Sequence, residues 1–179
     1  MKITIAASSA ALALCMLFSP TVGAQNYGNV QISSATDAGS LALPVGATLA
    51  EYKRFFKAKG TKRFSHIVLP ANWQDLGWRN DITLGFISTT AFAGANPLYA
   101  CFIAGKEDFF TSNNPECDGQ QKLQGYHFIG YIAGSQIEGT VPLYRCNLAR
   151  KNSHYDTLGS NCEGTAGATL DGILGYIFL

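Results

Sequence analysis

The sequence predicts an all-β protein, a β-trefoil built from three repeats of about 45 residues with two disulfides inside repeats. Three observations carry this. The tetrad Leu174-Gly175-Tyr176-Ile177 has counterparts 45 and 90 residues earlier, Ile129-Gly130-Tyr131-Ile132 and Leu84-Gly85-Phe86-Ile87. The segment Pro142-Leu143-Tyr144-Arg145-Cys146 repeats Pro97-Leu98-Tyr99-Ala100-Cys101 at the same spacing. Charged residues make up only 14 % of the chain and glycine occurs 19 times, with no sustained heptad pattern, which suits short strands joined by turns. Repeats of this length suggest a propeller blade or a trefoil lobe. A propeller needs at least about four blades. In a trefoil each lobe gives strands to a closed barrel and a hairpin to its cap, and closure removes exposed sheet edges. Leu98, Leu143, Ile132 and Ile177 would then fill the barrel in threefold layers. A small jelly roll is the alternative.

Taken in order, the chain opens on a targeting pattern. Lys2 is followed by an apolar run, Ile3 to Phe18, then Pro20 and the small-residue triplet Val22-Gly23-Ala24. Residues 1–24 read as a signal peptide, so the protein is expected to be secreted. The run is short for a membrane span, and no second one is long enough. Residues 25–48 form an N-terminal segment of small and turn-forming residues.

The trefoil domain is expected over 49–179, with repeats at about 49–93, 94–139 and 140–179. Repeat 1 keeps the closing tetrad but begins loosely. Glu51-Tyr52-Lys53-Arg54 sits about two residues out of register with Leu-Tyr-x-Cys, and Phe56 and Asn72 occupy the formal cysteine positions. In repeat 2, Leu98–Phe102 alternates as a strand, Ala104–Glu107 turns, and Asp108–Ser112 extends again. Asn113-Asn114-Pro115 breaks it, and Tyr126–Ile132 closes the unit. Repeat 3 follows the same course through Leu143–Cys146, His154–Thr157 and Asp171–Phe178.

Removing the signal peptide removes Cys15 and leaves Cys101, Cys117, Cys146 and Cys162. An even number of cysteines in an exported chain reads as disulfides. Three pairings are possible, and the repeat selects one. Equivalent positions should make equivalent bonds, which gives Cys101–Cys117 and Cys146–Cys162. Each closes a loop worth about 3 kcal/mol in the chain-entropy model. Cysteines spaced this way, without CxxC or nearby histidine pairs, make poor metal ligands.

The Pro-Leu-Tyr-Arg segment, the aromatic strand around His154-Tyr155 or Phe109-Phe110, Glu163-Gly164 and Gly175-Tyr176 together resemble a repeat family. Its members are repeats of uncharacterised function in secreted bacterial and fungal proteins, written roughly PLYR…HF…EG…GY. The resemblance covers about residues 97–179 well and 49–90 loosely. Ala100, Phe109 and Asp118 depart from it in repeat 2. It implies a trefoil-like extracellular ligand-binding module and names neither ligand nor catalytic residues.

Net charge is +1, which gives no global field towards nucleic acid. Lys53, Arg54, Lys57, Lys59, Lys62 and Arg63 nevertheless crowd into eleven residues. Such a run reads as a solvated hairpin, with an anionic partner as the alternative. The chain lacks the serine elbow, zinc-protease, P-loop and dinucleotide motifs. His154 with Asp156 reads as a surface polar pair rather than acid–base machinery, so no enzyme and no cofactor is expected. Sugar recognition asks for an aromatic shelf with fixed polar groups beside it. The candidate ligand-binding residues are Trp73, Asp75, Trp78, Asp118, His154, Asp156 and Glu163. Asp118 and Glu163 have a competing structural reading as turn caps. The functional expectation is a non-catalytic, lectin-like carbohydrate-binding module. A protein-binding module (protease inhibitor or host-directed effector) comes second and would show a protruding Lys57–Arg63 loop. A hydrolase comes third.

Overall fold

The computed structural model describes residues 43–179. The expected signal peptide (1–24) and residues 25–42 of the N-terminal segment lie outside that range. Ten strands form one antiparallel network: β1 (Leu49–Lys57), β2 (Lys62–His66), β3 (Trp78–Ser88), β4 (Ala95–Ile103), β5 (Asp108–Ser112), β6 (Gln121–Lys122), β7 (Phe128–Ala133), β8 (Thr140–Leu148), β9 (Ser153–Thr157) and β10 (Thr169–Phe178). Helical structure among the described residues is limited to three short 3-10 turns. None is long and apolar enough to cross a membrane.

The strands fall into three units of the same connectivity. In each, the first strand pairs with the second as a hairpin and with the closing strand: β1 with β2 and β3, β4 with β5 and β7, β8 with β9 and β10. The short β6 adds to β4. Alternation places Leu98 and Leu143 inward and fully buried, while Pro97, Tyr99, Pro142 and Tyr144 face out and stay half-buried. Ile87, Ile132 and Ile177 from the closing strands are also fully buried, in the same cluster.

The register corrects the alignment of unit 1. Tyr52 pairs with Gly85 as Leu98 does with Gly130 and Leu143 with Gly175. Tyr52 therefore stands in the leucine position. Phe55, not Phe56, stands where the cysteines stand: it opposes Phe64 as Cys101 opposes Phe110 and Cys146 opposes Tyr155. One extra residue in the β2–β3 loop accounts for the slip. The two disulfides are Cys101–Cys117 and Cys146–Cys162, with Cα atoms 5.5 and 5.8 Å apart. In unit 1 the ring of Phe55 packs on Phe64, with centroids 6.3 Å apart, in place of a disulfide.

The units meet through their closing strands. Ser88 of β3 opposes Tyr131 of β7, Ala133 of β7 opposes Tyr176 of β10, and Phe178 of β10 opposes Phe86 of β3. That cycle explains the glycine of the repeated tetrad. A Cβ on Gly130 would lie 2.7 Å from the Ser88 carbonyl oxygen, and one on Gly175 would lie 2.7 Å from that of Ala133. Gly85 is equally closed off by the Phe178 carbonyl. All three glycines also have a positive φ (+151°, +158° and +147° in chain order), which side chains rarely adopt.

Gly130→Ala is expected to destabilise the fold by more than about 1 kcal/mol. Gly172→Ala, on an open stretch of β10 with nothing near the new methyl, should stay within about 0.5 kcal/mol of wild type. Urea unfolding of the two variants measures the difference. Equal losses would rule out the close strand approach as the reason for the glycine.

Candidate functional site

The β2–β3 loop of unit 1 folds as a chain of tight turns. Trp73 N–H donates to the Pro70 carbonyl, Asp75 to Asn72, Leu76 to Trp73 and Gly77 to Gln74, with Asn72 in the left-handed region. This winding turns Trp73 inward. Its ring lies 5.0 Å from Trp78 in a stacked arrangement and 5.0 Å from both Phe64 and Phe109. Trp78 is buried, at 2 % exposure. The tryptophans are thus not an exposed shelf. They fill the space that a disulfide-tied turn fills in the other units.

What remains open above them is a groove of about 460 Å³ lined by Phe55, Leu69, Gln74, Asp75, Trp78, Arg79 and Asn80. A second hollow of about 330 Å³ adjoins it across Leu69, Gln74 and Asp75. Arg79 is pinned, with Nη1 donating to the carbonyls of Gln74 (2.6 Å) and Trp78 (2.7 Å). Asp75 is exposed at the rim. The arrangement is an apolar floor under a rim of carboxylate, amides and guanidinium, which can accept from and donate to a neutral polar ligand.

The structure places Asp118 and Glu163 at the unit junctions. Both sit in left-handed conformation just after a disulfide cysteine. Glu163 of unit 3 accepts from Arg54 of unit 1, Oε1 from Nη1 at 2.6 Å and Oε2 from Nη2 at 3.1 Å. Asp118 of unit 2 meets Nη1 of Arg145 of unit 3 at 3.3 Å. Each arginine also reaches a carbonyl across the junction, Asp156 at 3.0 Å for Arg54 and Thr111 at 2.7 Å for Arg145. Each is held on its own unit through Nε, by Asp81 at 2.7 Å and Asp171 at 2.6 Å. Burial pushes the Glu163 carboxyl up, but the hydrogen bonds and charge of Arg54 outweigh it and leave it below its ordinary value.

The third junction has neither half of this clamp. Unit 2 carries Ala100 in the arginine position, and unit 1 has no carboxylate at the position of Asp118 and Glu163. His66 serves instead, with Nε2 at 3.1 Å from the Tyr126 carbonyl and Nδ1 accepting from Val68 N–H at 3.1 Å. The two contacts fix the neutral tautomer with the proton on Nε2. Burial pushes His66 down to about 4, against the opposing pull of the Tyr126 carbonyl.

His154 and Asp156 share a strand but do not pair, and Asp156 is not on the surface. It is 1 % exposed and stands where Thr111 and Ser65 stand in the other units. Tyr52 Oη donates to it at 2.6 Å and Thr111 Oγ1 at 2.7 Å. Burial raises the Asp156 carboxyl above its ordinary value, despite the hydrogen bonds of Thr111 and Tyr52 and the charge of Arg145. The Tyr52 hydroxyl is pushed well up, first by burial and then by the charge of Asp156, so it remains the donor. His154 turns to buried Asp108, whose carboxylate accepts from His154 N–H at 2.8 Å and lies 2.8 Å from Nδ1.

The basic stretch is not a solvated hairpin. Arg54 is in a clamp, Lys53 pairs with Glu51, and Lys57 reaches Glu107 at 2.7 Å. Lys62 is buried, its ammonium donating to carbonyls of Lys106, Lys151 (3.3 Å) and Asn152 (2.9 Å) at the tips of the other two hairpins. Arg63 lies over the Tyr155 ring at 4.5 Å. His127 approaches Cys101 and Cys117, but both sulfurs are used in the disulfide. The sequence reading missed Arg54, Arg145, Asp81 and Asp171. The recurrence of arginine three residues before one unit's end of a strand and an acid four residues before the closing glycine was the available signal.

Comparison with family models, with curated proteins and with solved structures found no match for this chain.

His66 is neutral in the folded protein and takes up a proton on unfolding at any pH between about 4 and its ordinary value near 6.5. Stability from this group is therefore present above that window and is lost as pH falls through it, by on the order of 3 kcal/mol. His66→Gln is expected to lack that slope. Urea unfolding of both proteins from pH 4 to 7 measures it, and parallel curves would refute the assignment.

Proposed function

We propose that this protein is a secreted, non-catalytic β-trefoil that binds carbohydrate through the groove of its first unit. The groove carries the reading. Trp78, Phe55 and Leu69 give it an apolar base, and Asp75, Gln74, Asn80 and Arg79 surround that base with donors and acceptors. A pyranose presents the matching surfaces, an apolar C–H face and a ring of hydroxyls. Of the residues expected to contact ligand, Asp75 and Trp78 line this groove and Trp73 supports it from beneath.

The trefoil assignment is supported by three units of one connectivity, by their equivalent registers and by the cycle of closing-strand contacts. Secretion is supported by the two disulfides and by the targeting pattern at residues 1–24. The protein-insertion reading finds less support, because the Lys57–Arg63 hairpin is tied down. Lys57 and Lys62 both bond to other units, and only the tip between them is free to project.

The test is a glycan array probed with wild type and Asp75→Ala. Binding to a defined set of glycans is expected. Asp75→Ala should weaken it roughly tenfold or more, as loss of a charge-assisted hydrogen bond does, with an unchanged melting temperature. An array without binders, together with inhibition of a protease panel, would overturn the reading.

A further inference from the structure

The two charged junctions are near copies, and they differ in one respect that matters chemically. At the junction of units 3 and 1, every side-chain nitrogen of Arg54 is engaged. Its Nε, Nη1 and Nη2 all donate, and its side chain is 7 % exposed. At the junction of units 2 and 3, Arg145 donates through Nε to Asp171 and through Nη1 to Thr111 and Asp118. Its Nη2 has no partner among the described residues, and its side chain is 19 % exposed. The cause is one methylene. Aspartate at 118 is too short to grip both terminal nitrogens as Glu163 does, and its contact is correspondingly longer, 3.3 Å against 2.6 Å.

A second substitution opens the space beside it. The residue cross-strand from Arg54 is Ile82, and the residue cross-strand from Arg145 is Gly172. The result is a cleft of about 310 Å³ lined by Ser112, Asn113, Asn114, Asp118, Arg145 and Asp171, with Ile173 at its edge, 52 % exposed. Its polar wall is held in place. Ser112 Oγ donates to Asp118 at 3.1 Å, Asn113 Nδ2 to the Pro97 carbonyl at 3.0 Å, and Asn114 Oδ1 accepts from Glu116 N–H at 2.9 Å.

We propose that this cleft is a second binding site, for a neutral saccharide that presents a vicinal diol. One hydroxyl accepts from Arg145 Nη2 and donates to Asp118. Its neighbour donates to Asp171, and the ring lies against Ile173. The charge balance excludes anions. Two carboxylates flank one guanidinium, so an anionic sugar meets net repulsion. The site goes beyond the groove of unit 1 and shares no residue with it, so the protein is bivalent.

The copy at the other junction supplies the controls. Asp118→Glu transplants the longer acid of Glu163, which adopts the same left-handed conformation (φ 57° against 52°). Gly172→Ile transplants the residue that stands cross-strand from Arg54 in the twin, at a position where a Cβ meets nothing. The experiment follows the Arg145 Nε–H resonance by ¹H–¹⁵N NMR while methyl glucoside, methyl galactoside, methyl mannoside and glucuronate are added to wild type, Asp118→Glu, Gly172→Ile and Asp75→Ala. At least one neutral glycoside is expected to shift the resonance saturably in wild type and Asp75→Ala, with affinity at least tenfold weaker in Asp118→Glu and Gly172→Ile. Glucuronate should bind less well than its neutral counterpart. The proposal is overturned if no neutral glycoside shifts the resonance, if glucuronate binds more tightly, or if Gly172→Ile binds as wild type does. Loss of the response in Asp75→Ala would show instead that the groove is the only site. Failure of the groove reading leaves the wild-type Arg145 response in place, so the two are separable.

Discussion

The fold depends on how closely the three closing strands approach one another. At Gly85, Gly130 and Gly175 the backbone of one unit stands against a carbonyl oxygen of another, leaving no room for a side chain. Close packing of this kind is all-or-none. Each strand is held in its place by the next, and the cycle returns to the first through Phe178 and Phe86. The isoleucines that follow the glycines point inward from that collar. The cluster containing Tyr52, Leu98 and Leu143 follows from the same geometry.

Around this apolar collar the molecule is deliberately unequal. Where two units place a leucine, the third places Tyr52; where two place a small hydroxyl residue, the third places Asp156. The two exceptions find each other, Tyr52 donating to Asp156 across a sequence separation of 104. Neither residue would be tolerable alone, because a buried carboxylate or phenol without a partner carries its full desolvation cost. Lys62 follows the same logic, taking carbonyls from the two hairpins other than its own. Near-symmetry of the backbone thus supports a set of polar contacts that occurs once per molecule and gives each unit a distinct role.

Much of the architecture was legible in the sequence because it is periodic. The glycine tetrads mark the closing strands, the Pro-Leu-Tyr segments mark inward leucines and outward tyrosines, and equal spacing pairs the cysteines. What could not be read lies off the period. The extra residue in the β2–β3 loop displaced unit 1 by one position and hid the equivalence of Arg54 with Arg145. Trp73 and Trp78 suggested a ligand shelf from composition alone, whereas their burial depends on the missing disulfide of unit 1. Asp118 and Glu163 were singled out without their partners, because an arginine 27 or 109 residues away leaves no local trace. His154 and Asp156, two apart on one strand, serve separate networks.

The arginine clamps have a consequence for the order of the chain. Each is divided between two units, the cation on one and the turn acid on another, and where the acid is missing the cation is missing too. Ala100 faces the one unit that has no acid at the clamp position. The three units are therefore not interchangeable parts. Exchanging units 2 and 3 would set Arg145 against unit 1 and leave Glu163 facing Ala100. The cyclic sequence of the lobes is written into their edges, as the cut of a key is matched to one lock, even though the backbone would accept any order.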